Sequence, residues 1–191
     1  MRLTTRDRRF VQACRDRLGD RFEDATGAVE AEYGRAGVAR PGGESRVSMY
    51  VVHHLAAGAK PGAWDWRRVW DYHTKSKGWA TGGYNATVDQ SGRVVLVVPP
   101  SRMSYGARAR WNPVTFHIVA LADFSVFDPS PALLESLWAW LCVCDDTLGY
   151  HPWRPHGAIR ATECPGAKLA PHVVSMAARG ALRPRPETYR D

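Results

Sequence analysis

No stretch of the 191 residues approaches the ~18 consecutive apolar residues that a bilayer-crossing helix needs, so the sequence predicts no membrane span. Lysine is scarce: Lys60, Lys75, Lys77 and Lys168 are the only lysines among 26 basic side chains, and the other 22 are arginines. Cysteine is scarce too. Four cysteines in a chain expected to be made in the cytosol argue against a disulfide framework. Cys142 and Cys144 are spaced C-x-C, which is neither a zinc knuckle nor a C-x-x-C redox motif, and they read as small buried hydrophobes in a helix. The opening MRLTTRDRRF is basic but has no apolar run behind it, which speaks against a secretory signal and predicts synthesis in the cytosol. No internal repeat or low-complexity block appears.

What is present is ordinary for a globular protein. Hydrophobic residues make up 45% and charged residues 24%, which excludes wholesale disorder. A chain of this length buries ~70% of the surface its unfolded form exposes and has room for one domain plus an extension. The formal net charge of +7 suits an anionic partner: nucleic acid, a membrane surface or a bacterial wall. The basic residues are scattered rather than clustered, so no nucleic-acid partner is expected.

Residues 1–45 differ from the rest. Arginines alternate with acids, Trp is absent, and Phe10, Cys14, Leu18 and Phe22 form an apolar stripe at helical spacing. The pattern predicts one or two helices between Thr5 and Tyr33, followed by a linker marked by Gly34, Gly37, Pro41, Gly42 and Gly43. From residue 46 to about 182 strands and helices mix. SMYVVHH reads as a buried strand and Asp65 as the N-cap of a helix ending before Gly78. YNATVDQSGRVVLVV reads as a hairpin and VTFHIVALADF as another buried strand. A helix is predicted from about Pro131 to Leu148, and a last one ends at Arg179 with Gly180 as its stop. Residues 183–191 read as a mobile tail. The connections are too irregular for strict βαβ repetition. The fold class is therefore α/β: a mixed central sheet flanked by helices, with an N-terminal helical extension.

Seven histidines compete for functional roles. His53 and His54 end a predicted strand, and His156 and Cys164 sit in the Pro- and Gly-rich stretch HPWRPHGAIRATECPGAKL. A cysteine just ahead of a predicted helix is a sensible place for a thiolate, because helix N-terminal amides lower a thiol pKa. Two imidazoles and a thiolate make a zinc set that leaves a fourth position for water. By spacing alone this is weak, since His-x7-Cys matches no finger pattern, and surface or core histidines remain the default.

The order of the blocks adds information. VVHHLAAG, YHTKSKGW, GGYNATVDQSGRV, WNPVTFHIVALADF and H-x5-T-x-C-P-G follow one another between about Val47 and Leu182. This resembles the zinc-dependent N-acetylmuramoyl-L-alanine amidases of the type-2 class, which share a fold with the peptidoglycan-recognition proteins. The resemblance implies zinc ligands at His53, His156 and Cys164, with Tyr84 lining the metal site and Thr162 at a position where relatives carry Thr or Lys. It implies that His54 is a neighbour rather than a ligand. His73 reads as a packed structural residue, and His117 and His172, which lack motif support, are also left structural. Ala158 stands where many relatives carry an acid, and no Asp or Glu is an obvious general base; Glu163 is only adjacent to the cysteine. Trp79 reads as structural, whereas Trp64, Trp111 and Trp153, in predicted loops beside Arg108, Arg110 and Arg154, suit a glycan or stem-peptide groove. The implied activity is zinc-dependent cleavage of the bond between the lactyl group of N-acetylmuramic acid and L-alanine in peptidoglycan. A phage endolysin acting as a monomer on the wall after release from the cytosol is the implied context. The alternative is a non-catalytic peptidoglycan-recognition module; in that branch the cysteine is typically lost, and Cys164 is present here.

Overall fold

The computed structural model describes residues 3–56 and 58–184. Its frame is a six-stranded sheet in the order β1-β5-β4-β7-β3-β8. The strands are β1 (Phe22–Asp24), β3 (Met49–His54), β4 (Ala86–Val88), β5 (Val94–Leu96), β7 (Thr115–Ala120) and β8 (Trp153–Pro155). Only the β4–β5 hairpin pairs antiparallel; the other neighbours are parallel. A second, two-stranded sheet joins β2 (Val38–Ala39) to β6 (Arg102–Met103). The helices are α1 (Thr5–Leu18), α2 (Thr26–Tyr33), α3 (Trp66–Asp71), α4 (Pro131–Leu148) and α5 (Ala170–Ala181). Among the described residues, no helix is long and apolar enough to cross a membrane.

Side-chain alternation along the strands sorts the two faces of the sheet. Tyr50 and Val52 of β3 and Phe116, Ile118 and Ala120 of β7 point into the main core, where they meet α1, α4 and α5. Val119 of β7 points the other way, against Val69 of α3 and Leu121. A further cluster under α2 and α3 joins Val29, Trp66 and Trp70 to Val95, Val97 and Val98.

The N-terminal segment is built into this frame. Thr4 and Asp7 cap α1 reciprocally, each side chain accepting from the other's backbone N–H. The same Asp7 carboxylate also accepts from the Ser101 amide and hydroxyl at 3.0 and 2.7 Å. Phe10, fully buried, sits edge-on to Phe116 and Trp140 at 5.5 and 5.1 Å between ring centres. The predicted helical stripe stops early. Gly19 ends α1, and Phe22 belongs to the edge strand β1, pairing with Val94. Arg40, in the predicted linker, is buried and donates to four backbone carbonyls, those of Pro100, Arg102, Asn112 and Pro113.

Other elements fall where the sequence places them. Asp65 caps α3 through the Arg68 amide, and the helical run continues as a π-type turn over Tyr72–Ser76. Ser130 caps α4 and Pro131 opens it. Gly180, however, does not stop the last helix, which runs on to Ala181. A Cβ at Gly180 would lie 2.9 Å from the Trp153 ring, so glycine there lets α5 close on β8. Of the predicted mobile tail, residues 185–191 lie outside the described residues.

Truncating Phe10 to alanine removes a fully buried ring from between two aromatics. The expected cost is about 3–5 kcal/mol in urea unfolding of the whole chain. Arg9→Ala, on the exposed side of α1, should stay within about 0.5 kcal/mol. A Phe10→Ala loss below about 1 kcal/mol would mean that α1 is not part of the cooperative core.

Candidate active site

The alternation of β3 separates the two histidines at its end. His53 lies on the open face of the sheet, opposite in direction to Tyr50 and Val52, and the His54 ring turns to the Phe124 amide at the cleft edge. The parallel register pairs Val51 with His117 and His53 with Val119. Two imidazoles on neighbouring strands thus share the open face, and His53 Nε2 lies 3.0 Å from His117 Nδ1. β8 delivers the third, running directly into the 3-10 turn His156–Ala158. The His53 and His156 rings are 4.4 Å apart between centres. Cys164 closes the group from the loop ahead of α5, its Sγ 3.7 Å from His53 Nδ1.

His53, His156 and Cys164 form the one trio of possible metal ligands found among the described residues, with ligand atoms all within 4.8 Å of one another. His156 Nε2 is buried and has no hydrogen-bond partner. Burial, followed by the neighbouring imidazoles of His117, His156, His54 and His73, holds His53 well below the usual histidine range. Burial and then Arg160 push His156 down to about 4. Both rings are therefore neutral near pH 7. The thiol of Cys164 is pushed up to about 11 by burial, partly opposed by the His54 amide, which donates to Sγ at 3.4 Å. This corrects the helix-terminus reading: α5 begins only at Ala170, and the nearby amide comes from β3 instead.

The other named residues surround this point. Tyr84 packs its ring on His53 at 5.0 Å, and burial keeps its phenol protonated beyond the ordinary range. Asn85, next along, is fully buried and is the hub of the wall: its Oδ1 accepts from the His117 amide and Ser104 Oγ, and its Nδ2 donates to the Val98 carbonyl. Thr162 is exposed at the rim, where its hydroxyl accepts from the Cys164 amide at 3.3 Å. His54 Nδ1 accepts from the Phe124 amide and stands 3.7 Å from Asp123, away from the trio. His73 Nδ1 accepts from the Gly83 amide, and its ring stacks on Trp79 at 4.7 Å.

These residues floor a cleft of about 710 Å³ whose walls include Trp64, Tyr72, Trp79, Tyr84, Arg160 and Glu163. Trp79, read as structural, is 39% exposed and overlooks the cleft. Trp64 also lines it, as the sequence suggests, but Trp153 does not. Trp153 is buried in β8 at 3% exposure, and its Nε1 donates to Asp145. His117 is the residue that sequence reasoning missed. Its signal was a single imidazole inside the otherwise apolar strand TFHIVA.

The ends of β3 and β8 and the loop ahead of α5 thus gather two neutral histidines and a cysteine at the floor of an open cleft, a donor set that could hold a metal ion. Residues 43–167 match the N-acetylmuramoyl-L-alanine amidase family, and the chain belongs to that family. Comparison with curated proteins found no match. Among solved structures, the chain is similar to an endolysin from a bacteriophage of Thermus scotoductus, at 23% identity and a TM-score of 0.65, covering 82% of this chain and 98% of that one. It is similar to an endolysin N-acetylmuramoyl-L-alanine amidase from Clostridium intestinale, at 21% identity and 0.61, covering 74% and 88%. It is also similar to the Drosophila peptidoglycan-recognition protein LB, at 17% and 0.61, covering 81% and 92%. These likenesses establish the fold.

His73 supplies a pH test. Burial, then Lys77, pushes it down to about 4 from an ordinary 6.5. Between those values the unfolded chain binds the proton and the folded chain does not. The stability it contributes is therefore full above pH 6.5 and is lost as pH falls toward 4. In chelator-treated protein, the stability difference between wild type and His73→Gln should shrink over that window by at most on the order of 3 kcal/mol. A difference that does not change with pH would show that His73 titrates normally.

Proposed function

We propose that this chain hydrolyses the amide bond between the lactyl group of N-acetylmuramic acid and L-alanine in peptidoglycan, using one zinc ion held by His53, His156 and Cys164. The observation that carries the metal is the trio itself. The buried, unpartnered His156 Nε2 needs something to face, and a cation satisfies it. The 3.7 Å between His53 Nδ1 and Cys164 Sγ agrees with the ~3.6 Å edge of a tetrahedron with Zn–N of ~2.05 Å and Zn–S of ~2.3 Å. Both imidazoles are neutral, as ligands must be.

Zinc, when bound, supplies Lewis acidity and a lowered pKa for water. The chain's own residues do the rest. Tyr84, kept protonated by burial and resting on His53, is a phenolic donor for the oxygen that becomes negative when a carbonyl is attacked. Thr162, tied to the Cys164 amide, holds the cysteine loop and places a second hydroxyl at the rim. Trp64, Tyr72 and Trp79 offer flat faces to sugar rings, and Arg160 a cation to a stem-peptide carboxylate. Asp123 and Glu163 are carboxylates lining the cleft. Asp123 is committed to the Gly58 and Ser125 amides, which leaves Glu163 as the freer proton acceptor.

The setting we favour is an endolysin, a soluble monomer that reaches the wall after release from the cytosol. The endolysins among the structurally similar proteins support it. Peptidoglycan as partner is supported by the family and by a similar structure in which tracheal cytotoxin is bound to a complex of two peptidoglycan-recognition proteins.

Purified walls should clear when the protein is added, with release of free N-terminal L-alanine and no new reducing sugar ends. Chelation should stop the clearing and zinc should restore it. The protein should carry about one zinc per chain, and Cys164→Ser should lose both metal and activity. Walls that are bound but not cut would favour a recognition module, and new reducing ends would make the chain a glycosidase.

Tyr84→Phe removes one oxygen. Zinc content and wall binding should be nearly unchanged, while turnover falls on the order of 10²–10³-fold, or ~3–4 kcal/mol. Tyr72→Phe, on the cleft wall, should do far less. Unchanged turnover in Tyr84→Phe would remove Tyr84 from the mechanism.

A further inference from the structure

The proposed ligand His53 is the first member of a buried hydrogen-bonded line that ends on the main chain. His53 Nε2 lies 3.0 Å from His117 Nδ1, and His117 Nε2 lies 2.7 Å from Thr115 Oγ1. Thr115 Oγ1 lies 2.8 Å from the Trp111 carbonyl oxygen, which also accepts from the Val114 amide. His53, His117 and Thr115 are each buried at 1% exposure or less, so the line is shielded from bulk solvent.

The end of the line sets its direction. A carbonyl oxygen only accepts, so the single Thr115 hydroxyl proton goes to Trp111. Turned the other way, the hydroxyl would press its lone pair against the carbonyl at 2.8 Å. Thr115 Oγ1 therefore accepts from His117, whose proton sits on Nε2. In the neutral ring that burial imposes, His117 Nδ1 is then bare and accepts from His53 Nε2–H. His53 Nδ1 is left bare, and it is the atom that faces Cys164 Sγ.

Building on the zinc reading above, we infer that His117 and Thr115 are positioning residues that hold His53 in its Nε2–H tautomer, with the Nδ1 lone pair aimed into the Cys164–His156 site before any metal arrives. The surroundings hold the line in place. Asn85 Oδ1 accepts from the His117 amide at 3.0 Å. Gly106 backs onto the His117 ring so closely that a Cβ there would lie 2.9 Å from it. At the far end Arg40 donates to the carbonyls of Asn112 and Pro113, the two residues after Trp111. A ligand whose free lone pair is already selected needs no proton rearrangement on binding, and outer partners of this kind typically matter 10–100-fold in metal affinity.

The test begins without metal. Ring-nitrogen ¹⁵N spectra of chelator-stripped wild type should show His53 and His117 both protonated at Nε2 and bare at Nδ1. Thr115→Val keeps the shape and removes the acceptor. It should mix the tautomers of both rings and weaken zinc about 10–100-fold in chelator competition, and Thr115→Ser should restore both readouts. His53 protonated at Nδ1 in the wild type would overturn the inference. So would a folded Thr115→Val protein with unchanged ring spectra and zinc affinity. If Thr115→Val does not fold, the wild-type spectrum decides alone. A wild type with the expected tautomers that takes up no zinc would leave the line standing and sink the metal reading instead.

Discussion

A one-residue slip between β3 and β7 would turn over every side chain of β3. His53 would leave the open face of the sheet and its place beside His117. The register Val51↔His117 and His53↔Val119 is therefore the constraint on which the site rests. It is held from the other face, where Tyr50, Val52, Phe116 and Ile118 are locked into the main core with Trp140 and Phe10. The chemistry on one side of the sheet is thus positioned by hydrophobic packing on the other. The imidazoles and the thiol of the cleft contribute little to that positioning and bear a desolvation cost within it.

The N-terminal segment takes part in this arrangement although the family match begins only at residue 43. α1 supplies Phe10 to the core beneath the β3–β7 pair, and β1 extends the sheet past the hairpin. Arg40 reaches the turn before β7, where it donates to the Asn112 and Pro113 carbonyls, and it ties that turn to the β6 segment through the carbonyls of Pro100 and Arg102. Desolvation lowers its pKa to about 10, yet it remains charged at neutral pH. Its charge also disfavours protonation of His117.

Local signals in the sequence were read well, and long-range ones were not. The hairpin, the Asp65 cap and the full extent of α4 follow from turn chemistry, capping and periodicity within a short window, and the structure has them. The pairing of His53 with His156 and Cys164 was legible only through the order of motifs, because the three meet across more than a hundred residues. His117 carries no spacing signal at all. Its importance comes from a strand register that no local pattern encodes. Phe22 continued a helical stripe but joined the sheet, because Gly19 broke the helix first. Trp153 sits among prolines, a loop-like setting, yet parallel pairing with Tyr50 draws it into the core. Gly180 carries a stop signal in the sequence, but its lack of a side chain serves the packing of α5 on that same ring.

The raised thiol pKa has a meaning for the chemical durability of the cleft. Burial pushes the Cys164 thiol up to about 11, so the sulfur stays protonated at neutral pH. Peroxides, alkylating agents and disulfides all react with the thiolate, so the metal-free chain carries a sulfur that is slow to be damaged. Cys14, Cys142 and Cys144 are shielded in the same way, by burial in the helical layer. Burial thus does for the cleft cysteine what it does for the three core cysteines: it holds the sulfur in its less reactive, protonated form.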